Sequence, residues 1–208
     1  MTILDKNAIL PNLATRDKVV LELGCGDRKR VPGSIGIDML DYPSVDLVGD
    51  LVEVLNAFPP ATVDKATSHH VFEHLPDLEV VLLALARVLK VGGQLEIVTP
   101  HFSNPYYYSD ATHKAFFGLY TFSYFAAKSP FRRQVPTYQR ELHFELVRVD
   151  LGFKSPPPFY VRYGVKRTLG YLFNLNNYMR EFYEENLCYL FPCYELRYEL
   201  RRIESSER

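Results

Sequence analysis

The chain has 208 residues, of which 47% are hydrophobic and 24% charged, which is enough to bury the core of one globular α/β domain. Its net charge of -1 gives no electrostatic reason to expect a nucleic-acid partner, and no segment approaches the ~20 apolar residues of a transmembrane segment. Three cysteines without a disulfide framework, and a first stretch without the apolar run of a signal peptide, predict a cytoplasmic location.

The most informative stretch is KVVLELGCGDRKRVPGSIGID, at residues 18–38. Four apolar residues around Glu22 predict a strand that is buried on both faces, as in a parallel sheet. Gly24 and Gly26 then predict a sharp turn at which the main chain approaches a ligand. A second strand, at 34–37, ends at Asp38, on the sheet edge where open α/β sheets bind ligands. A carboxylate there can accept two hydrogen bonds from a ribose diol, which predicts a nucleoside cofactor.

The residues of this turn indicate which nucleoside it binds. A dinucleotide fingerprint needs a third glycine at position 29, which is Lys29. Asp27 follows the second glycine directly, and its carboxylate would repel a pyrophosphate but tolerate the positive charges of S-adenosylmethionine. The turn therefore favours S-adenosylmethionine, with a nicotinamide-dependent oxidoreductase as the weaker alternative.

The next elements repeat the pattern of strand and polar strand end. A third strand at 45–50 ends in Asp50 and Leu51, which would contact adenine, although Asp50 is also an ordinary helix cap by residue type. A fourth strand is predicted at 63–68. A helix follows with Asp77 as its N-cap, and the glycines at 92–93 end it before a fifth strand at 94–99.

Residues 70–74 fit H-x-x-E-H, the zinc signature of one group of metallopeptidases. A motif of this length counts only in its expected structural context, and metallopeptidases do not place it after the fourth strand of a nucleoside-binding sheet. The sequence therefore predicts no metal site. Glu73 and His74 are expected to cap and line the loop that follows the strand.

Five motifs occur in one order and spacing over residues 18–100: Glu22-Leu-Gly24-Cys25-Gly26, Gly36-Ile-Asp38, Gly49-Asp50-Leu51, Ser68 to His74, and Val88 to Gly93. In that order they resemble class I S-adenosylmethionine-dependent methyltransferases. The resemblance is strongest to a type-11-like subgroup in which the turn continues as a basic residue plus Pro-Gly into the second strand, as Arg28 to Gly33 does here. The first crossover is then shortened, because there is no room for a full helix between Gly26 and Gly36. It implies a Rossmann-like, seven-stranded mixed α/β sheet whose last strand is antiparallel and lies between the fifth and sixth.

The resemblance also implies the contacts of S-adenosyl-L-methionine. The expected cofactor-binding residues are Glu22, Gly24, Cys25 and Gly26 for the methionine part, Asp38 and Met39 at the ribose, Asp50 and Leu51 at the adenine, and Ser68 and His69 beneath the sulfonium.

The segment that follows the fifth strand is rich in aromatic residues and carries His101, Asp110 and His113. These are the titratable groups close to the strand end, and a base near neutral pH suits an oxygen or nitrogen acceptor. We therefore predict them as catalytic residues. The structural alternative is that His113 only hydrogen-bonds a backbone carbonyl. The resemblance to the subgroup suggests a small-molecule acceptor, such as a sugar or lipid-linked glycan intermediate.

A sixth strand is predicted at 142–149 and a last one at 194–201. The insertion between them, 156–192, carries an amphipathic helix around 167–187. We expect it to form a lid or a homodimer contact rather than a peripheral membrane contact, because it carries Glu181, Glu184 and Glu185.

These elements predict one methyltransferase domain over residues 1–208. It comprises a leader at 1–17, a cofactor-binding core at 18–100, an acceptor-site segment at 101–141 and C-terminal strands at 142–208. The predicted function is S-adenosylmethionine-dependent methyl transfer to a small molecule. The alternative is an inactive S-adenosylmethionine-binding scaffold or regulator.

Overall fold

The computed structural model describes residues 3–138, 141–155 and 157–204; the outer ends of the predicted segments, at residues 1–2, 156 and 205–208, lie outside this part of the chain. Nine strands form one mixed sheet in the order β1-β4-β3-β2-β5-β6-β9-β8-β7. The strands are β1 (Leu4–Asp5), β2 (Val20–Leu23), β3 (Ile35–Asp38), β4 (Leu47–Val48), β5 (Val63–His69), β6 (Leu89–Pro100), β7 (Ala126–Lys128), β8 (Phe144–Gly152) and β9 (Glu195–Arg202).

The Rossmann-like arrangement predicted from the sequence is confirmed. Strands β4, β3, β2, β5 and β6 are parallel neighbours, and β9 runs antiparallel between β6 and β8. The sheet has nine strands rather than the predicted seven because β1 and β7 add a short strand at each edge. Runs of two and three residues carry no periodicity from which a strand could be predicted.

Within the described ranges, four α-helices accompany the sheet: α1 (Leu51–Ala57), α2 (Leu78–Val88), α3 (Tyr160–Phe173) and α4 (Asn177–Asn186). The predicted N-cap of α2 is present, since Asp77 Oδ1 accepts hydrogen bonds from the N–H groups of Glu79 and Val80 at 2.9 and 3.2 Å. The predicted end of this helix was wrong. Strand β6 begins at Leu89, which pairs with Val63, so the two glycines at 92–93 lie inside the strand.

No helix forms between β2 and β3 among the described residues, as the short spacing predicted. Asp46 stabilises this compact connection. It forms an ion pair with Lys29 Nζ and accepts 2.8 Å hydrogen bonds from Gly36 N and Asn7 Nδ2. One carboxylate therefore joins the leader, the shortened crossover and strand β3.

We expect the substitution Asp46→Asn to lower the free energy of unfolding by about 2 kcal/mol, because it removes the anionic partner of the Lys29 ammonium and leaves only its bond to the Ser34 carbonyl. Burial opposes the charge on Asp46, yet the bonds from Lys29, Gly36 and Asn7 hold its pKa below the ordinary 3.8. This contribution is complete above pH 3.8 and is lost as the pH falls through the lowered pKa. Urea unfolding at pH 7 and in acid should show the difference from wild type shrinking on acidification. Asp41→Asn, at an exposed ion pair with Lys6, is the control. If the stability difference between wild type and Asp46→Asn did not change with pH, the stabilising role of the Asp46 charge would be contradicted.

The insertion between β8 and β9 folds as α3 and α4. Helix α4 packs on the aromatic segment, where Glu184 Oε2 accepts from Leu119 N at 2.7 Å and Glu181 Oε1 accepts from Arg132 N at 3.1 Å. Two of the three acidic residues that argued against a membrane contact thus serve internal packing. In the described part of the chain, no helix has the length and apolar character needed to cross a membrane.

Candidate active site

The glycine turn after β2 is tied to β3 through its own amides. The N–H groups of Gly24 and Cys25 donate to the Ile37 carbonyl at 2.8 and 3.2 Å, and Gly26 N donates to Asp38 Oδ2 at 2.9 Å. Both glycines have positive φ, at 62° and 61°. Since these three amides are already donated to Ile37 and Asp38, they are not available to a pyrophosphate.

Asp38 ends β3 beside this turn. Its Oδ2 accepts from Gly26 N and its Oδ1 from Leu40 N at 3.0 Å, so each oxygen has one protein donor. A carboxylate offers about four acceptor positions, which leaves capacity for a diol. The neighbouring Met39 side chain is exposed at the rim. A Cβ at Gly26 would meet no atom within 4 Å, so the space over the turn is open to a ligand.

Glu22 lies buried beneath the turn with donors of its own. Its carboxylate accepts from Arg30 N at 2.8 Å, Val31 N at 3.0 Å and Ser34 Oγ at 3.1 Å. These bonds fasten the shortened crossover to β2. The geometry gives Glu22 the role of positioning the loop rather than of contacting a ligand directly. The Cys25 thiol is similarly enclosed, and burial, with Asp38 and Glu22 nearby, raises its pKa to about 11.

Asp50 and Leu51 begin α1 at the end of β4. Asp50 Oδ1 accepts from Val52 N and Glu53 N at 2.9 and 3.1 Å, so the capping role left open by the sequence is present. Both capping bonds use the same oxygen, and Oδ2 takes neither. A contact of that oxygen with adenine therefore stays compatible with the cap.

Ser68 and His69 end β5, but only one of them reaches the surface. Ser68 is fully enclosed, and its hydroxyl has no hydrogen-bond partner among the described residues. The half-buried His69 is accessible, and burial, together with Arg30 and Arg197, lowers its pKa. His69 is therefore a neutral polar group at the strand end near pH 7.

A second, polar cleft of ≈ 240 Å³ opens beside β5 and β6, and we call it the acceptor cleft. Two of the three predicted catalytic residues, Asp110 and His113, line it. The full lining is His70, Glu73, His74, Pro100, Asn104, Tyr106, Tyr107, Asp110, His113 and Tyr194.

His101, the third predicted catalytic residue, is corrected by the structure. It is completely buried, its Nδ1 accepts from Ser103 N at 3.0 Å, and its Nε2 bonds Glu184 Oε2 at 3.2 Å. Successive residues of an extended chain point to opposite faces, so Pro100 lines the cleft and His101 turns toward α4. His101 thus anchors α4 and cannot contact an acceptor.

The structure adds His70 and Glu195, which the sequence analysis did not assign to the site. His70 bonds Glu195 Oε2 at 3.5 Å and Glu73 Oε1 at 3.2 Å, and these contacts raise its pKa to about 9. Burial opposes the charge on Glu195, but His70 and Lys154 outweigh it and hold its pKa at about 2. His70, which lines the cleft, is therefore an imidazolium held between two carboxylates near pH 7.

The H-x-x-E-H pattern was the only signal for His70, and no metallopeptidase helix forms from it. Residues Phe72–His74 make a single 3-10 turn, and the His70 ring is held by Glu73 and Glu195. Glu195 gave no local signal because it arrives from the last strand.

One residue, Val71, separates the glycine turn from the acceptor cleft. Val71 packs against Gly24, since a Cβ built on that glycine would lie 2.2 Å from Val71 Cγ2. The preceding residue, His70, lines the cleft. A donor group over the glycine turn and an acceptor in the cleft would therefore lie side by side.

Comparisons with known proteins bear on the fold and on part of the sequence. Residues 30–97 match the family model described as a methyltransferase domain. A SAM-dependent methyltransferase from Archaeoglobus fulgidus aligns with a TM-score of 0.56 at 17% identity, covering 94% of each chain. Haemonchus contortus phosphoethanolamine N-methyltransferase 2, solved with S-adenosyl-L-methionine, aligns at 0.52 and 14% identity over 94% of this chain and 51% of its own. The YcgJ protein of Bacillus subtilis aligns at 0.51 and 14%, covering 96% and 99%.

These structural likenesses show the fold, and the family model matches the segment that carries most of the cofactor motifs. Residues 30–97 include Asp38, Asp50, Ser68 and His69, although the match begins after the glycine turn. With the motifs at their predicted strand ends, residues 30–97 match a methyltransferase domain, and the chain has the Rossmann-like fold of these methyltransferases.

Proposed function

We propose that the protein transfers the methyl group of S-adenosyl-L-methionine to a small polar molecule held in the acceptor cleft. The observation that carries the proposal is the single-residue separation between the glycine turn and the cleft, through Val71. The sulfonium supplies an already activated methyl group. The chain's own contribution is to hold the acceptor in line with it and to exclude water.

The cofactor contacts follow from the strand ends. Asp38 holds the ribose, Asp50 and Leu51 lie at the adenine, and the carbonyls of the Gly24–Gly26 turn receive the charged methionine part. His69 lies at the sulfonium end, above the enclosed Ser68. Glu22 acts through the crossover loop, which it fastens to β2.

His113 is the best placed base in the cleft. Its Nδ1 bonds the Tyr107 carbonyl at 2.9 Å, and because a carbonyl only accepts, Nδ1 carries the proton. The basic nitrogen is then Nε2, with Asp110 Oδ2 3.7 Å away. The bond to a backbone carbonyl, which the sequence left as a structural alternative, thus prepares the ring for accepting a proton from a hydroxyl or amine.

The polar side chains in the lining, among them Asn104, Asp110 and His113, favour an acceptor that carries several hydroxyl or amine groups, such as a sugar or a lipid-linked glycan intermediate. A lipid-linked acceptor would approach from a membrane surface, and the exposed apolar side chains of α3, including Tyr160, Val161 and Tyr171, offer a peripheral contact or a homodimer contact. All three cysteines are free, which fits a reducing cytoplasm.

The test is turnover with methyl-labelled S-adenosyl-L-methionine and a panel of sugars, aminosugars and lipid-linked glycans. We expect methylation of one class, and His113→Ala should lower kcat by roughly 10²- to 10⁴-fold while leaving cofactor affinity unchanged. His143→Ala, at a histidine outside the cleft, is the matched control. Tight cofactor binding without transfer to any acceptor would instead support the scaffold or regulator.

A further inference from the structure

The loop that carries His113 is docked on the turn that carries Glu73 and His74. The N–H of Lys114 donates to the Glu73 carbonyl at 2.7 Å, and the His74 and His113 rings lie 4.9 Å apart. One ligand atom from each of Glu73, His74 and His113 lies within 4.8 Å of the other two. Two distant segments of the chain thus bring a carboxylate and two imidazoles to one point.

The hydrogen bonds around the two histidines leave the same nitrogen of each ring with its lone pair. His113 Nδ1 donates to the Tyr107 carbonyl. Thr112 Oγ1 donates to Asp110 Oδ1 at 2.5 Å, so it accepts from His74 Nδ1 at 2.9 Å. Both rings therefore keep an unprotonated Nε2. An Nδ1–H bonded to a carbonyl or hydroxyl oxygen is the outer contact that orients metal-binding histidines.

Glu73 supplies an independent observation. The residue is 1% exposed, its Oε1 is held by His70 Nδ1, and its Oε2 is buried with no hydrogen-bond partner among the described residues. A buried carboxylate oxygen without a donor is costly and rare. A cation between this oxygen and the two imidazoles would satisfy it.

We propose that Glu73, His74 and His113 bind a divalent transition-metal cation, with Zn²⁺ as the best match to two imidazole nitrogens and one carboxylate. Zinc holds such donors at about 2.0–2.1 Å, which separates them by about 3.4 Å in a tetrahedral site. Donors now within 4.8 Å of one another would close by up to about 1.4 Å, which side-chain rotation supplies. This set differs from the metallopeptidase pattern, since His70 is outside it.

The surroundings favour a cation that keeps an open coordination position. A further carboxylate lies beside the cluster, since Asp110 Oδ2 is 3.7 Å from His113 Nε2. The ligands also line the acceptor cleft. With its Nε2 on the cation, His113 would no longer accept a proton itself, and the cation would activate the acceptor by polarising its oxygen. That role rests on the proposed function, whereas metal binding itself does not.

The test is titration of tag-free, chelator-treated protein with Zn²⁺ and, for its visible absorption, with Co²⁺. We expect one equivalent to bind and to raise Tm. His74→Ala and His113→Ala should each weaken binding by at least ~10- to 100-fold. The same is expected of Thr112→Val, which removes no ligand but takes away the hydroxyl that bonds His74 Nδ1 and Asp110 Oδ1. His143→Ala should bind as wild type does.

Wild-type binding no tighter than that of His113→Ala, or an equal loss in His143→Ala, would overturn the proposal. Thr112→Val keeps the test open if a ligand variant does not fold, because Thr112 is exposed and its substitution removes no buried group. S-adenosyl-L-methionine titration of the same samples separates the two proposals. Cofactor binding without Zn²⁺ binding defeats the metal site alone, and Zn²⁺ binding without methyl transfer defeats the proposed function alone.

Discussion

Replacing Asp38 with alanine is expected to weaken the binding of S-adenosyl-L-methionine by roughly 10²-fold or more. Two charge-assisted hydrogen bonds to the ribose are lost, each worth about 1.5–3 kcal/mol. The substitution also removes the acceptor of Gly26 N and Leu40 N, so the turn itself loosens. Isothermal titration with S-adenosyl-L-methionine, S-adenosylhomocysteine and NAD measures the effect, with NAD expected not to bind.

Asp41→Ala is the matched control. Asp41 lies three positions further on and pairs at the surface with Lys6, so its loss changes local charge by the same amount without touching the turn. Cofactor affinity should then stay at the wild-type level. If the Asp38→Ala protein bound the cofactor as tightly as wild type, the ribose assignment would fail. Equal losses in the two variants would point to long-range charge rather than to contact.

The parts of the site that the sequence predicted are those set by local chain geometry. Gly24, Gly26 and Asp38 occupy the turn and strand end that their spacing indicated, and Asp77 caps α2 as its residue type predicted. The short distance to Gly36 likewise excluded a first helix. Each of these conclusions needs only neighbours along the chain.

The sequence failed where the direction of a side chain or a distant partner decided the outcome. His101 follows β6 as predicted, but the alternation of an extended chain turns it away from the cleft. The charge state of His70 depends on Glu195, which the antiparallel pairing of β9 with β6 brings beside it. No pattern within either segment encodes that contact.

The proximity of Glu73 to His113 is likewise a contact between distant segments that no local pattern predicts. The pattern H-x-x-E-H contains Glu73 and His74 but not His113, which arrives from another loop. Its first histidine, His70, lies between Glu73 and Glu195. A pattern of this kind identifies residues that can bind a metal. Only the fold decides which of them come together.

Alanine substitutions at the two glycines of the glycine turn distinguish the cost of backbone strain from the cost of a steric clash. At Gly24 an added Cβ would lie 2.2 Å from Val71 Cγ2, and φ is 62°. We expect Gly24→Ala to lower the free energy of unfolding by about 2–4 kcal/mol, from a left-handed backbone and an overpacked contact. Gly26→Ala has a similar φ of 61° but no atom within 4 Å, so it should cost only about 1–2 kcal/mol. Urea unfolding measures both.

The affinity for the cofactor should not follow the stability of these variants. The Cβ of Gly26→Ala enters the open space that we assign to the cofactor, so affinity should fall although most of the stability is kept. Val71→Ala combined with Gly24→Ala should recover the steric part, with a favourable coupling of about 1–2 kcal/mol in a double-mutant cycle. The left-handed strain would stay, since φ at position 24 is fixed by the two amides bonded to Ile37. A Gly26→Ala protein with wild-type affinity would show that the cofactor does not lie over this turn, whatever the result at Gly24.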